Sequence, residues 1–217
     1  MRRGTFREGT VNYAAVGATS APDLMHYPPE GSTPAEQSWR IGSGEDRFRH
    51  AADALLSWKP QRVAGLQVSD VRPAAGPVYS GVSFDADGNP IAPNRDEPEQ
   101  RFDAEGTPYA APGMTLRLHG RVNGMRGDAE IRVISVIESA RQVTLVLGTV
   151  DDSVVSGEEL FDLVWREDND EVWFSVRAFD TAQSMLYRIV PGLVKRRRRA
   201  LFGQYLRAIS PMYATSV

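Results

Sequence analysis

From Glu45 onward, apolar residues recur at spacings of three and four: Phe48, Ala51, Ala52, Leu55 and Leu56. That period gathers them on one face of a helix. Glu45 and Asp46 complement the positive end of its dipole, Ser43 or Gly44 caps it, and Pro60 ends it near Trp58. Beyond the helix the pattern changes to short β-branched or alternating runs, which predict strands over 38–41, 62–71, 77–84, 114–120, 129–137, 142–149, 158–166 and 171–179. Short connections make the later strands antiparallel neighbours.

The turn Glu167-Asp168-Asn169-Asp170 fixes one hairpin closely. Closing it there sets Trp165 opposite Val172, Leu163 opposite Phe174 and Phe161 opposite Val176, so one face is continuously apolar. The other face alternates Arg166 and Glu171, Val164 and Trp173, Asp162 and Ser175, which reads as a mostly solvated surface. A slip of one residue would mix the faces. From Thr181 the period becomes helical, with Leu186, Ile189, Val190, Leu193, Val194, Leu201, Tyr205, Leu206 and Ile209 in a stripe that Pro191-Gly192 should kink or split.

These elements predict one α+β domain over residues 1–217, in which an antiparallel sheet of about six to eight strands packs on a long C-terminal helix, with a shorter helix near the N-terminus. Residues 1–37, rich in Gly, Pro, Ser and Thr, read as largely irregular. Residues 85–113 are too dense in turns for a central strand and read as a surface excursion. Between Asp85 and Glu105 seven acids face two bases, a local charge of -5 within a chain of net charge -3. That segment is a lid, a partner loop or a tolerated insertion.

The chain has no cysteine, so disulfides, thiolate ligands and thiol nucleophiles are all excluded, and the expected compartment is cytoplasmic. Met1-Arg2-Arg3 is not followed by the apolar core of a signal peptide. No run approaches the roughly 20 apolar residues of a membrane span. His26, His50 and His119 have no ligand spacing, so no metal or other cofactor is expected. Gly42-Ser43-Gly44 lacks the lysine of a phosphate-binding loop, and no serine stands in a nucleophile elbow.

Extending the hairpin register one step places Glu159 opposite Ala178, on the side of Phe161, Leu163 and Trp165. A carboxylate there is hydrogen-bonded, paired with a cation, protonated with a raised pKa, or beside a water-filled cavity, unless it reaches water at the strand end. Its neighbour Glu158 points the other way and is expected to be solvated. In the run Lys195-Arg196-Arg197-Arg198-Arg199, helical geometry turns Lys195, Arg196 and Arg199 outward and brings Arg197 and Arg198 to the border of the apolar stripe. Either of those two is a candidate partner for Glu159 or for an anionic ligand group. Nucleic acid is not an expected partner, because the basic residues are too few and lack interleaved aromatics.

Asn12-Tyr13 with Val16-Gly17-Ala18-Thr19, Ile41-Gly42-Ser43-Gly44 with Phe48, Ala51-Ala52, Leu55-Leu56 and Trp58, Gly148-Thr149, Ser156-Gly157-Glu158-Glu159-Leu160-Phe161, Val172 with Phe174, Ala178-Phe179, and the arginine-rich helix ending Tyr205-Leu206 form a pattern. It resembles the domain-of-unknown-function family numbered nineteen-ninety, known from bacteria and plants without an established activity. Where that family usually carries Leu-Pro-Gly-His, this chain reads Val150-Asp151-Asp152-Ser153-Val154-Val155, which marks a divergent member. The resemblance implies a fold similar to helix-grip proteins, whose curved sheet wraps a C-terminal helix and often leaves a cavity.

The expected function is to hold a small amphipathic or apolar ligand between sheet and helix, with Trp39, Phe161, Trp165, Phe174 and Tyr205 as walls and Glu159 with Arg197 or Arg198 as polar anchors. The alternatives are an enzyme using Glu159 as general acid or base in the same cavity, and a solid-cored interaction domain acting through residues 85–113.

Overall fold

In the computed structural model, which describes residues 11–74, 83–84, 90–91, 100–122, 125–150, 155–182 and 191–210, the long sheet elements are β1 (Thr33–Ser43), β2 (Leu66–Arg72), β5 (Thr115–Val122), β6 (Met125–Glu138), β7 (Gln142–Thr149), β8 (Val155–Trp165) and β9 (Glu171–Ala182). They form one antiparallel sheet in the order β1-β9-β8-β7-β6-β5-β2. The short strands β3 (Ser83–Phe84) and β4 (Pro90–Ile91) pair separately. Helices α1 (Glu45–Leu56) and α2 (Lys59–Val63) connect β1 to β2, and α3 (Pro191–Ile209) follows the last strand. This is the α+β helix-grip arrangement expected above.

The β8–β9 hairpin has the register read from its turn: Trp165 faces Val172, Leu163 faces Phe174, Phe161 faces Val176 and Glu159 faces Ala178. Its apolar side is the middle of the core, where Phe161, Leu163, Val172, Phe174 and Val176 have no exposed surface. Phe202, Tyr205, Leu206 and Ile209 of α3 complete the same cluster. Phe161 stacks on Phe174 at 6.3 Å between ring centroids and meets Tyr205 edge-on at 5.3 Å.

Several boundaries differ from expectation. Pro60 does not simply end α1. It lies in the first turn of α2, where its missing N–H leaves no hydrogen bond unmade, and Trp58, at φ 66°, turns the chain between the two helices. β1 begins at Thr33, not at residue 38, because it pairs with β9 along its length. Thr181 lies in β9 and Pro191 stands at the start of α3, while the expected helical positions Leu186, Ile189 and Val190 lie outside the described residues. The expected strand segment 77–82 lies outside the described residues, as do 85–89 and 92–99 of the acidic segment. Residues 100–113 lie against the helices: Trp58 Nε1 donates to the Pro108 carbonyl at 2.9 Å, Ala110 N donates to the Leu56 carbonyl at 2.9 Å, and Arg62 pairs with Asp103 at 2.7 Å.

Glu158 corrects the expectation of a solvated side chain. It is 2% exposed, because the N-terminal segment crosses the outer face of the sheet directly above it. The Tyr13 hydroxyl donates to its carboxylate at 2.9 Å, the Gly17 N–H at 2.7 Å and the Thr19 N–H at 3.0 Å, and the Thr19 hydroxyl donates as well. Gly148 stands opposite Glu158, and a Cβ there would overlap the Tyr13 hydroxyl. On the other side Phe179 faces Glu158 and packs edge-on against the Tyr13 ring at 5.6 Å. Burial and the adjacent carboxylate both push the Tyr13 hydroxyl pKa upward, which keeps it a donor.

Removing this carboxylate strands four donors beneath the segment. Glu158→Ala is therefore expected to cost about 3 kcal/mol or more, read as a lower urea midpoint. Proteolysis within residues 11–24 should accelerate in parallel. Unchanged cleavage there would show that the carboxylate does not hold the segment.

Candidate functional site

Side chains on the inner face of the sheet fall into rows across β1, β9, β8 and β7. One row is Trp39, Phe174, Leu163 and Val143; the next is Gln37, Val176, Phe161 and Leu145; the next is Ala35, Ala178, Glu159 and Leu147; beyond it stand Thr33, Asp180 and Gly157. Bulk falls away along this progression. The first two rows fill the core, whereas two alanines flank Glu159 toward the sheet edge and a glycine follows it on β8. The reason is the two-residue period of a strand, acting on a sequence that changes from aromatic to small and acidic on this side.

Helix α3 crosses these rows and brings two polar groups to them. The Arg198 guanidinium pairs with Asp180 and donates to the Thr33 carbonyl at 2.6 Å. Two turns later the Tyr205 hydroxyl donates to the Glu159 carboxylate. Glu159 thus lies along the sheet between the ion pair and the aromatic cluster. Arg198 forms its direct pair with Asp180, while its charge still acts on Glu159.

Burial dominates the ionisation of this group. It raises the Glu159 pKa from 4.5 to about 7, against the opposing effects of the Arg198 charge and the Tyr205 hydrogen bond. Tyr205 is itself pushed well above 10, first by burial and then by the carboxylate beside it. Burial also lowers the Arg198 pKa, with Glu159 acting in the opposite direction. Yet Glu159 retains an intermediate share of accessible surface. Its inner-face neighbours toward the sheet edge, Ala35, Gln37 and Asp180, are likewise only partly buried.

The expected wall residues divide into two places. Phe161, Phe174 and Tyr205 pack on one another next to Glu159. Trp39 stands on the same face beside Phe174 but on the edge strand, 37% exposed. Trp165 lies six residues from Glu159, about 20 Å along the strand, where its Nε1 donates to Asp170 at 2.7 Å, Arg141 covers its ring at 4.1 Å and Phe48 approaches at 6.2 Å. Trp165 is thus remote from the carboxylate. The Arg197 side chain lies outside the described residues.

Sequence reasoning passes over two groups here. Asp180 has the parity of Val176 and Ala178, so the hairpin register already turns it inward; only the expectation of a helix from Thr181 hides it. Gln37 faces inward opposite Val176, and its Oε1 is buried without a hydrogen-bond partner. Its inward direction depends on pairing between β1 and β9, which no short-range pattern announces.

The chain belongs to the family described as "Domain of unknown function (DUF1990)", whose model matches residues 12–86 and 97–208. The match passes over residues 87–96, within the acidic segment. No curated protein matches the chain in sequence. Among solved structures, a hypothetical protein of Helicobacter pylori is similar at 8% identity and a TM-score of 0.48, over 93% of this chain and 96% of that one. Norcoclaurine synthase of Thalictrum flavum, solved with dopamine and hydroxybenzaldehyde, is similar at 10% identity and 0.44, over 86% and 90%. The major latex-like protein of Panax ginseng is similar at 9% identity and 0.42, over 83% and 99%. Among the described residues no helix is long and apolar enough to cross a membrane.

A carboxyl whose folded pKa lies above its unfolded value stabilises the fold fully at low pH, and that contribution is lost as pH rises. For Glu159 the loss falls between about pH 4.5 and 7. Glu159→Gln removes this dependence, so the variant should gain stability relative to the parent between pH 5 and pH 8, by up to about 3 kcal/mol. Urea unfolding at both pH values reads it. Parallel profiles for the two proteins would contradict the desolvated environment described for Glu159.

Proposed function

We propose that this member of the DUF1990 family binds a small amphipathic or apolar molecule between the sheet and α3, with the polar end of the ligand at Glu159 and Arg198 near by. The observation that carries this reading is a carboxyl that is largely desolvated by the fold yet keeps accessible surface on the inner face, where Ala35, Gln37 and Asp180 beside it are also only partly buried. Ala35 and Ala178 contribute to it: they place little side-chain bulk where α3 crosses. On this reading the space there is a recess, apolar on most sides and carrying a few convergent polar groups, which is the usual form of a small-molecule site. Phe161, Phe174 and Tyr205 close it on the core side.

A second reading rests on the ionisation of the same carboxyl. A glutamate titrating near 7 has the proton affinity of a general acid or base at neutral pH, and Tyr205 holds it in position. Glu159→Gln separates the two: it abolishes turnover if the carboxyl moves a proton, and it only weakens affinity if the carboxyl is an anchor.

Filling the recess tests the binding reading. Ala178→Phe should reduce affinity for a neutral apolar dye such as Nile red by about tenfold or more, with the circular dichroism spectrum of the parent retained. Ala35→Leu should have the same effect in smaller measure. Dye binding that is absent from the parent, or undiminished in both folded variants, would overturn the reading.

A further inference from the structure

We infer that the ligand meets Glu159 through a protonated amine and not through a carboxylate or phosphate. This deepens the binding reading above and rests on it.

Around Glu159, donors and acceptors among the described residues are out of balance. Arg198 is the cation placed there among the described residues, and it is already matched: Asp180 neutralises it and the Thr33 carbonyl takes one of its N–H groups. An anionic ligand would therefore have to compete with Asp180 for the guanidinium while approaching two acidic side chains. Acceptors, by contrast, are in surplus among the described residues. A carboxylate offers about four lone-pair positions, and the Tyr205 hydroxyl occupies one at Glu159. Gln37 adds a buried amide oxygen with no partner. It stands one row along from Glu159 and two strands toward the edge, about 10 Å across the sheet, with Val176 and Ala178 on the strand between the two.

A buried acceptor without a donor is costly, and a charged hydrogen bond to a carboxylate is among the stronger ones available to a ligand. An ammonium group brings up to three N–H donors and one positive charge. Placed at Glu159 it would hold the carboxyl ionised, replace the hydration lost on burial and leave the Arg198–Asp180 pair intact. The hydrocarbon part would then lie over Ala35 and Ala178, against the aromatic cluster.

The test is competition at pH 7.5 against bound Nile red by three molecules of equal chain length: octylamine, octanol and octanoate. Octylamine should displace the dye at a concentration about tenfold or more below that of octanoate, with octanol between them. In Glu159→Gln, a near-isosteric change that leaves every other acid of the protein in place, that preference should shrink to about threefold or less. Octanoate competing as well as octylamine, or an amine preference that survives the substitution, overturns the inference while leaving the binding reading in force. Dye that binds but is displaced by none of the three overturns the inference in the same way. Failure of the dye to bind the parent overturns both.

Discussion

Strand β8 sends consecutive side chains to opposite faces, so Glu158 and Glu159 leave one backbone in opposite directions, the first buried and the second largely desolvated. That is costly for two adjacent carboxylates, and the structure meets the cost differently on each side. Outside, four donors from the segment containing Tyr13, Gly17 and Thr19 converge on Glu158. Inside, one hydroxyl and a neighbouring guanidinium charge only partly compensate the desolvation of Glu159. The first arrangement is closed; the second leaves acceptor capacity over. One strand thereby carries both the attachment of the N-terminal segment and the candidate site.

The two arrangements also support each other mechanically. The outer clamp fixes the β7, β8 and β9 backbones where Gly148, Glu158 and Phe179 lie side by side, and the inner row of Leu147, Glu159 and Ala178 comes from the neighbouring positions of those same strands. A carboxylate held in partly desolvated surroundings needs such a rigid base, because a frayed strand end would let it turn out to water. The Arg198–Asp180 pair anchors α3 over the following row, and the ring contacts of Tyr205 and Phe161 anchor it over the preceding one. Glu159 is thus bracketed along the helix by one polar and one aromatic contact.

Local pattern makes much of this legible. The β8–β9 register, the inward direction of Glu159 and the position of Arg198 at the border of the helical stripe all follow from a turn, a two-residue period and a 3.6-residue period. Contacts distant in sequence stay hidden. The donors to Glu158 come from residues about 140 positions earlier, so its alternation with polar neighbours looks like an ordinary exposed face. β1 looks like a short segment because the partner that extends it, β9, lies at the other end of the chain. Pro60 carries the local signature of a stop, and only the reversal at Trp58 makes it a start. The direct partner of Arg198 is masked for a different reason: the helical period that sets in at Thr181 draws Asp180 away from the strand to which its parity belongs.

Both the energetics of the inner face and the candidate site depend on a carboxyl that is desolvated and still accessible. Carbon-13 NMR of protein labelled at glutamate side chains, with Glu159 assigned by comparison with Glu159→Gln, measures its ionisation directly. The structure predicts a titration midpoint at about 7 for this carboxyl. A midpoint near 4.5, its ordinary value, would contradict that environment and the site built on it.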